Sequence, residues 1–129
     1  MAGPGILLVD DEEVFARNMT KLLVHRGYRV TAVNSGDSAL RILHEQGFDV
    51  IVLDLKMPGL DGMAALKEIQ RLGLSTEVLI LTGHGSMDTA FKAIEMGAYD
   101  YVTKPCEIAE LVAKIEAALA RKRVKESKG

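Results

Sequence analysis

The sequence predicts a three-layer α/β domain, with a doubly wound parallel sheet of five strands covered by helices on both faces. Three observations predict it. Short apolar runs alternate strictly with segments of helical period, which gives five βα units in succession. The runs ending at Asp10, Asp54 and Thr82 are apolar almost without interruption, as strands buried on both faces require. The runs beginning at Tyr28 and Tyr99 are broken by polar residues and suit the two edges.

Taken in order, GILLVD (Gly5 to Asp10) is the first strand. Phe15, Met19, Leu22 and Leu23 then recur at i, i+4, i+7 and i+8, the stripe of an amphipathic helix, and Gly27 supplies its left-handed C-cap. YRVTAV (Tyr28 to Val33) is the second strand, followed by a helix that starts after Ser35, buries Leu40 and Leu43 and stops at Gly47. DVIVLD (Asp49 to Asp54) is the third strand and runs into the turn signal Met57-Pro58-Gly59. Met63, Leu66 and Ile69 mark the third helix, which ends near Gly73. TEVLILT (Thr76 to Thr82) is the fourth strand, and Ser86 is the N-cap of a helix with Met87, Ala90, Phe91 and Ile94 on one face and Gly97 at its end. YDYVTK (Tyr99 to Lys104) is the fifth strand. Ile108, Leu111, Val112, Ile115 and Leu119 form the last and clearest helical stripe.

Right-handed crossovers and polar edge strands lead to the flavodoxin-like strand order 2-1-3-4-5. The apolar stripe gives out near Arg121. Residues 1–120 therefore read as one domain, and 121–129 as a basic tail, either a frayed helix end or the start of a linker.

Composition narrows the function. A net charge of −2 leaves no general basic excess for direct nucleic-acid binding. The run Ile6-Leu7-Leu8-Val9 is too short to span a membrane, and no basic segment precedes it as in a signal peptide. A single cysteine, Cys106, cannot form an internal disulfide and fits a reducing compartment, so the expected location is the cytoplasm. Cys106, Met57, Met63, Met87 and Met96 read as packing residues.

In open parallel sheets, ligands bind beyond the carboxyl ends of the strands. Asp10 and Asp11 end the first strand, Asp54 the third, Thr82 the fourth and Lys104 the fifth, so all five side chains are expected at one rim. Clustered, buried carboxylates repel one another and call for compensation. Lys104 supplies one positive charge, and a set of oxygen ligands without His or Cys points to Mg²⁺ rather than zinc. Mg²⁺, Lys104 and the Thr82 hydroxyl are each suited to hold one oxygen of a transferring phosphoryl group, and Asp54 to act as its acceptor. Glu12 and Glu13 read as acids favoured at a helix N-terminus. His84 and Lys56 lie close enough along the chain to overhang the opening, with a solvated surface position the simpler reading of each.

The motifs VDDEE, LDLKMPGLDG, LILTGHG and AYDYVTKP, in this order and at strand ends, make the chain resemble a bacterial two-component response-regulator receiver domain from Gly5 to Ala120. The resemblance implies that Asp54 accepts a phosphoryl group from a sensor histidine kinase or phosphotransfer protein. It implies Mg²⁺ held by Asp11, Asp54 and the backbone carbonyl of Lys56, with Asp10 assisting through water. It implies a switch in which Thr82 moves toward the phosphoryl group, Tyr101 rotates inward, and the face of the fourth helix, fifth strand and fifth helix is remodelled to act on an output domain, a protein partner or a second copy of the chain. The Lys104-Pro105 peptide is expected to be cis. GHGSMDTAFKAIEMGAYDYVTKP is most similar to receivers of the nitrogen-regulation, sigma-54-dependent activator type, although Cys106 stands where such receivers often carry a bulky aromatic residue.

Competing readings make different demands. A haloacid-dehalogenase-like phosphatase also uses a strand-end aspartate, but wants a second acid where this chain has Lys56. A flavin or nucleotide carrier on the same fold would need a phosphate cradle, whereas acids fill the first βα turn and no GxxxxGK[ST] loop occurs. A receiver-like docking module that takes no phosphate would not need the five residues together.

Overall fold

A computed structural model of the chain describes residues 3–56, 62–83 and 87–128. The elements follow the predicted alternation: β1 (Gly5–Val9), α1 (Glu13–His25), β2 (Arg29–Val33), α2 (Gly36–Leu43), β3 (Val50–Asp54), α3 (Gly62–Arg71), β4 (Glu77–Thr82), α4 (Met87–Glu95), β5 (Asp100–Thr103) and α5 (Ile108–Lys128). All pairings are parallel and the order is β2-β1-β3-β4-β5, with the two polar strands at the edges. The turn Met57-Pro58-Gly59, His84 and the cap Ser86 lie outside the described residues.

Strand alternation divides the core in two. Leu7, Ile51, Leu53 and Ile80 point to the face covered by α2 and α3, where Ala39, Leu66 and Ile69 meet them. Leu8, Val52, Leu79 and Leu81 point to the other face, against Met19 and Leu23 of α1 and Leu111 and Ile115 of α5. Every residue of β1, β3 and β4 is buried, which explains why their sequences show no polar alternation.

The helix ends follow their chemistry. The Ser35 hydroxyl accepts the Ser38 amide at 3.1 Å and starts α2. Gly27 and Gly97 close α1 and α4 with φ of +100° and +112°, a conformation open to glycine at little cost.

Three residues expected to pack inside do not, and one of them, Met96, is 37% exposed just past the end of α4. Leu22 is 44% exposed, because Ala16, Met19 and Leu23 already fill the inner stripe of α1. Phe91 is 51% exposed: the small pair Ala90 and Ala93 lies against the sheet and leaves the bulky ring on the flank. There it meets Tyr101 edge-on, with ring centroids 6.1 Å apart.

Beyond Arg121 the chain stays helical as far as Lys128, without an apolar stripe. Its charges have partners at the amino edge of the sheet. Arg121 donates Nε and Nη2 to the two oxygens of buried Glu77 at 2.5 and 2.7 Å, and Lys125 lies 3.1 Å from the same carboxylate. Lys122 pairs with Asp49 at 3.2 Å, and Asp49 accepts the Gly5 amide at 2.7 Å. Charge pairing, invisible in a hydrophobic pattern, carries the helix past its apolar end.

Candidate functional site at the carboxyl rim of the sheet

Three strand ends define the site. β1 delivers Asp10 to the rim, β3 delivers Asp54 and β4 delivers Thr82, and all three side chains are buried. The Leu55 amide donates to the Leu81 carbonyl at 3.2 Å, which fixes the end of β3 against β4. The Lys104 amide donates to the Thr82 carbonyl at 2.8 Å, so lysine and threonine share one ladder step. The peptide bond from Lys104 to Pro105 is cis. Gly62, the first residue of α3, lies so close to the end of β3 that a Cβ there would fall on Leu55 Cα and 2.6 Å from the Asp54 carbonyl oxygen.

Asp10 has two tasks. Its Oδ1 accepts the Glu12 amide at 2.8 Å and closes the turn into α1, while Oδ2 accepts from Lys104 Nζ at 2.9 Å. Asp54 divides its oxygens likewise: Oδ1 accepts the Lys56 amide at 3.0 Å, and Oδ2 stands 3.5 Å from Lys104 Nζ. Lys104 also pairs with Glu12, and its Nζ lies over the Phe15 ring, 4.5 Å from the centroid. Residues 94 positions apart thus meet at one point. The Thr82 hydroxyl makes a long contact of 3.4 Å with the Gly83 carbonyl oxygen.

The electrostatics follow from this crowding. Burial pushes the Asp54 carboxyl up to about 6; the Lys56 amide and Lys104 oppose the rise, and the neighbouring Asp10 charge adds to it. Burial alone would lower Lys104, but hydrogen bonds to Glu12 and Asp10 hold its ammonium well above the ordinary lysine range. The Cys106 thiol is raised by burial and by Glu110, and the residue packs at the margin of the α1/α5 core.

Asp10, Glu12 and Asp54 each bring a carboxylate oxygen within 4.8 Å of the others. Three carboxylates against one ammonium leave two negative charges unmatched, and the donors are all oxygen. The buried pair Asp10 and Asp54 offers the hard oxygen donors that suit a divalent cation, while Glu12 is exposed and paired with Lys104. Asp11 occupies the same turn, is exposed, and is not one of the three; Lys56 is exposed, with its amide committed to Asp54.

Glu12 and Phe15 were not singled out for this site by their sequence positions. Glu12 reads as a helix-terminal acid because its partner, Lys104, lies 92 residues away. The one local signal was an acid two residues past a strand-end aspartate, where an Asx-type turn folds it back toward the rim.

Tyr101 is half-buried between Phe91 and Lys114, whose Nζ lies 5.8 Å from the ring centroid while pairing with Asp100 at 2.5 Å. It packs on the α2/α3 side of the core.

A family model described as response regulator receiver domain matches residues 6–116. The chain is 43% identical over 115 residues to the transcriptional regulatory protein ZraR of Escherichia coli (strain K12), which covers 89% of the chain and 26% of that protein. It is 39% identical over 120 residues to the uncharacterized transcriptional regulatory protein YkoG of Bacillus subtilis (strain 168), covering 93% of the chain and 53% of YkoG. The crystal structure of a response regulator receiver domain protein from Clostridium thermocellum superposes with a TM-score of 0.90 at 38% identity, covering 95% of this chain and 98% of that one. NtrX from Brucella abortus superposes with a TM-score of 0.91 at 33% identity, covering 98% of this chain and 29% of NtrX. The chain therefore spans between about a quarter and about half of the regulatory proteins it matches.

Proposed function

The chain belongs to the response regulator receiver domain family, and on that premise we propose that it is a phosphorylation-controlled switch of a two-component pathway, with Asp54 as phosphoryl acceptor. The observation that carries this reading is the meeting of Asp10, Asp54 and Lys104 at one rim, with Thr82 at the adjacent strand end.

In this reading the ionised Asp54 carboxylate attacks phosphorus, a P–O bond forms, and the P–N bond to a histidine of a sensor kinase or phosphotransfer protein breaks. Mg²⁺, held by Asp11, Asp54 and the Lys56 carbonyl with Asp10 behind a water, would mask the repulsion between acceptor and incoming dianion. Lys104 and the Thr82 hydroxyl take phosphoryl oxygens, Lys104 by ion pairing and Thr82 by donating its proton in a hydrogen bond. The drawing-in of Thr82 lets Tyr101 rotate toward the core, and the face of α4, β5 and α5 changes shape. That is a two-state element biased by a new local charge.

The longer relatives named as transcriptional regulatory proteins support an output in transcription, reached through a further domain or a protein partner and not by contact of this domain with nucleic acid. The nitrogen-regulation type, with a sigma-54-dependent activator as output, is the subclass we favour. A second copy on the α4-β5-α5 face is a further partner. Among the described residues no helix is long and apolar enough to cross a membrane, and we place the switch in the cytoplasm.

Incubation with Mg²⁺ and acetyl phosphate, followed by intact mass measurement, tests the proposal. One phosphoryl mass is gained by the parent chain and none by Asp54→Asn. Continuous phosphate release from unrelated esters would favour an aspartate-nucleophile phosphatase, and no adduct with any donor would favour a docking module.

A further inference from the structure

We propose that Glu12 is a displaceable placeholder on Lys104, occupying the ammonium donor that a phosphoryl oxygen on Asp54 needs, so that phosphorylation proceeds by exchange of one for the other. The inference rests on the reading of Asp54 as acceptor and adds a residue that positions Lys104 in that reaction.

A lysine ammonium has three N–H donors. Here three carboxylates face it, from Asp10, Asp54 and Glu12, and the Phe15 ring covers a further side. Two of the lysine donors are hydrogen-bonded, to Asp10 and Glu12, and the third side faces Asp54 at 3.5 Å, so an arriving phosphoryl oxygen gains a full share of the ammonium only if one partner leaves. Asp10 cannot: its side chain is 0% exposed and its other oxygen holds the Glu12 amide. Asp54 cannot leave beforehand: its side chain is 5% exposed, and its ion pair with Lys104 ends only once its oxygen has taken the phosphoryl group. The Glu12 side chain is 64% exposed and can swing into water. Its release costs about what an exposed ion pair is worth, whereas release of either aspartate would strand a buried charge. Glu12 thereby occupies one ammonium donor before phosphorylation and yields it to a more highly charged ligand when one arrives.

The test uses the whole chain with acetyl phosphate and Mg²⁺, following the rate at which intact mass increases. The parent is compared with Glu12→Gln, Glu12→Ala and Glu13→Gln, the last being an exposed acid one residue on that makes no contact with Lys104 among those described. Both Glu12 variants are expected to be phosphorylated faster by roughly two- to fivefold, the range an exposed ion pair commands, with Glu13→Gln at the parental rate. Calorimetric titration with Mg²⁺ and no phosphodonor is expected to give nearly parental affinity for Glu12→Gln. Glu12 variants no faster than the parent would overturn the inference. So would an equal acceleration in Glu13→Gln, which would make the effect general repulsion. A loss of Mg²⁺ affinity of about tenfold or more, as when a coordinating or supporting group is removed, would make Glu12 a ligand instead. A parent chain that gains no mass at all would defeat the acceptor reading itself, a result distinct from equal rates in a chain that is labelled.

Discussion

Lys104 Nζ lies 2.9 Å from Oδ2 of Asp10, and this one ammonium is the counter-charge that lets two buried aspartates share the rim. Lys104→Met keeps most of the aliphatic stem and removes the charge. Breaking a buried pair by deleting one partner costs about 3 kcal/mol, and that loss is expected in urea unfolding with EDTA present. Millimolar Mg²⁺ should restore part of it, since a cation among the same oxygens replaces the missing charge. A variant as unstable with Mg²⁺ as without it would argue that no cation binds there.

The carboxyl of Asp54 makes a second, pH-dependent test. Its pKa is about 6 in the folded chain against an ordinary 3.8. The folded state therefore holds the proton more tightly than the unfolded one, and stability falls as pH rises from about 4 through about 6. Above that window the whole cost of the buried charge is present, at most about 3 kcal/mol for a shift of this size. Asp54→Asn carries no charge to bury. In Mg²⁺-free buffer it should exceed the parent in stability by about 1–3 kcal/mol at pH 7.5 and match it near pH 4. Equal unfolding midpoints at both pH values would show that burial does not strain the ionised acceptor.

The four main site residues, Asp10, Asp54, Thr82 and Lys104, were legible because strand ends can be read from apolar runs and a parallel sheet sends its carboxyl ends to one edge. Glu12 leaves no such trace, because its partner is a lysine at the end of another strand. Arg121 and Lys125 are equally hidden, because charges that pair with Glu77 leave no periodic trace along their own helix. Phe91 failed for a different reason. A stripe of apolar residues gives the direction of a helix face but not its width, and beside Ala90 and Ala93 the ring falls outside.

Gly62 shows how a backbone contact can govern acceptor geometry. A methyl there would collide with Leu55 Cα and come within 2.6 Å of the Asp54 carbonyl oxygen. Gly62→Ala must push α3 away from the end of β3 or tilt the Asp54 peptide. We expect about 1–3 kcal/mol of destabilisation from overpacking and slower mass gain with acetyl phosphate. Gly47→Ala, where an added methyl meets nothing within 4 Å, is the matched control and should alter neither.

The end of α5 is anchored by a buried charge pair. Glu77 is 1% exposed at the start of β4, yet its carboxyl is held below the ordinary range, because hydrogen bonds from Arg121 and then Lys125 outweigh the effect of burial. A depressed acid contributes stability above its unfolded pKa and loses that contribution as pH falls through the folded one. Arg121→Met leaves the carboxylate with Lys125 alone, and a loss of about 2–3 kcal/mol is expected at pH 7, shrinking under acid. Arg121→Met combined with Glu77→Gln removes both charges and should recover much of that loss, since uncharged replacements for a buried pair are often nearly neutral. Amide exchange over Arg121–Lys128 is the local readout: protection should fall in the single variant, because the Glu77 pair and the Gly97 carbonyl contact at 3.1 Å both anchor this turn. A single variant as stable as the parent, with unchanged exchange, would mean that the last helical turns stand without the charge network.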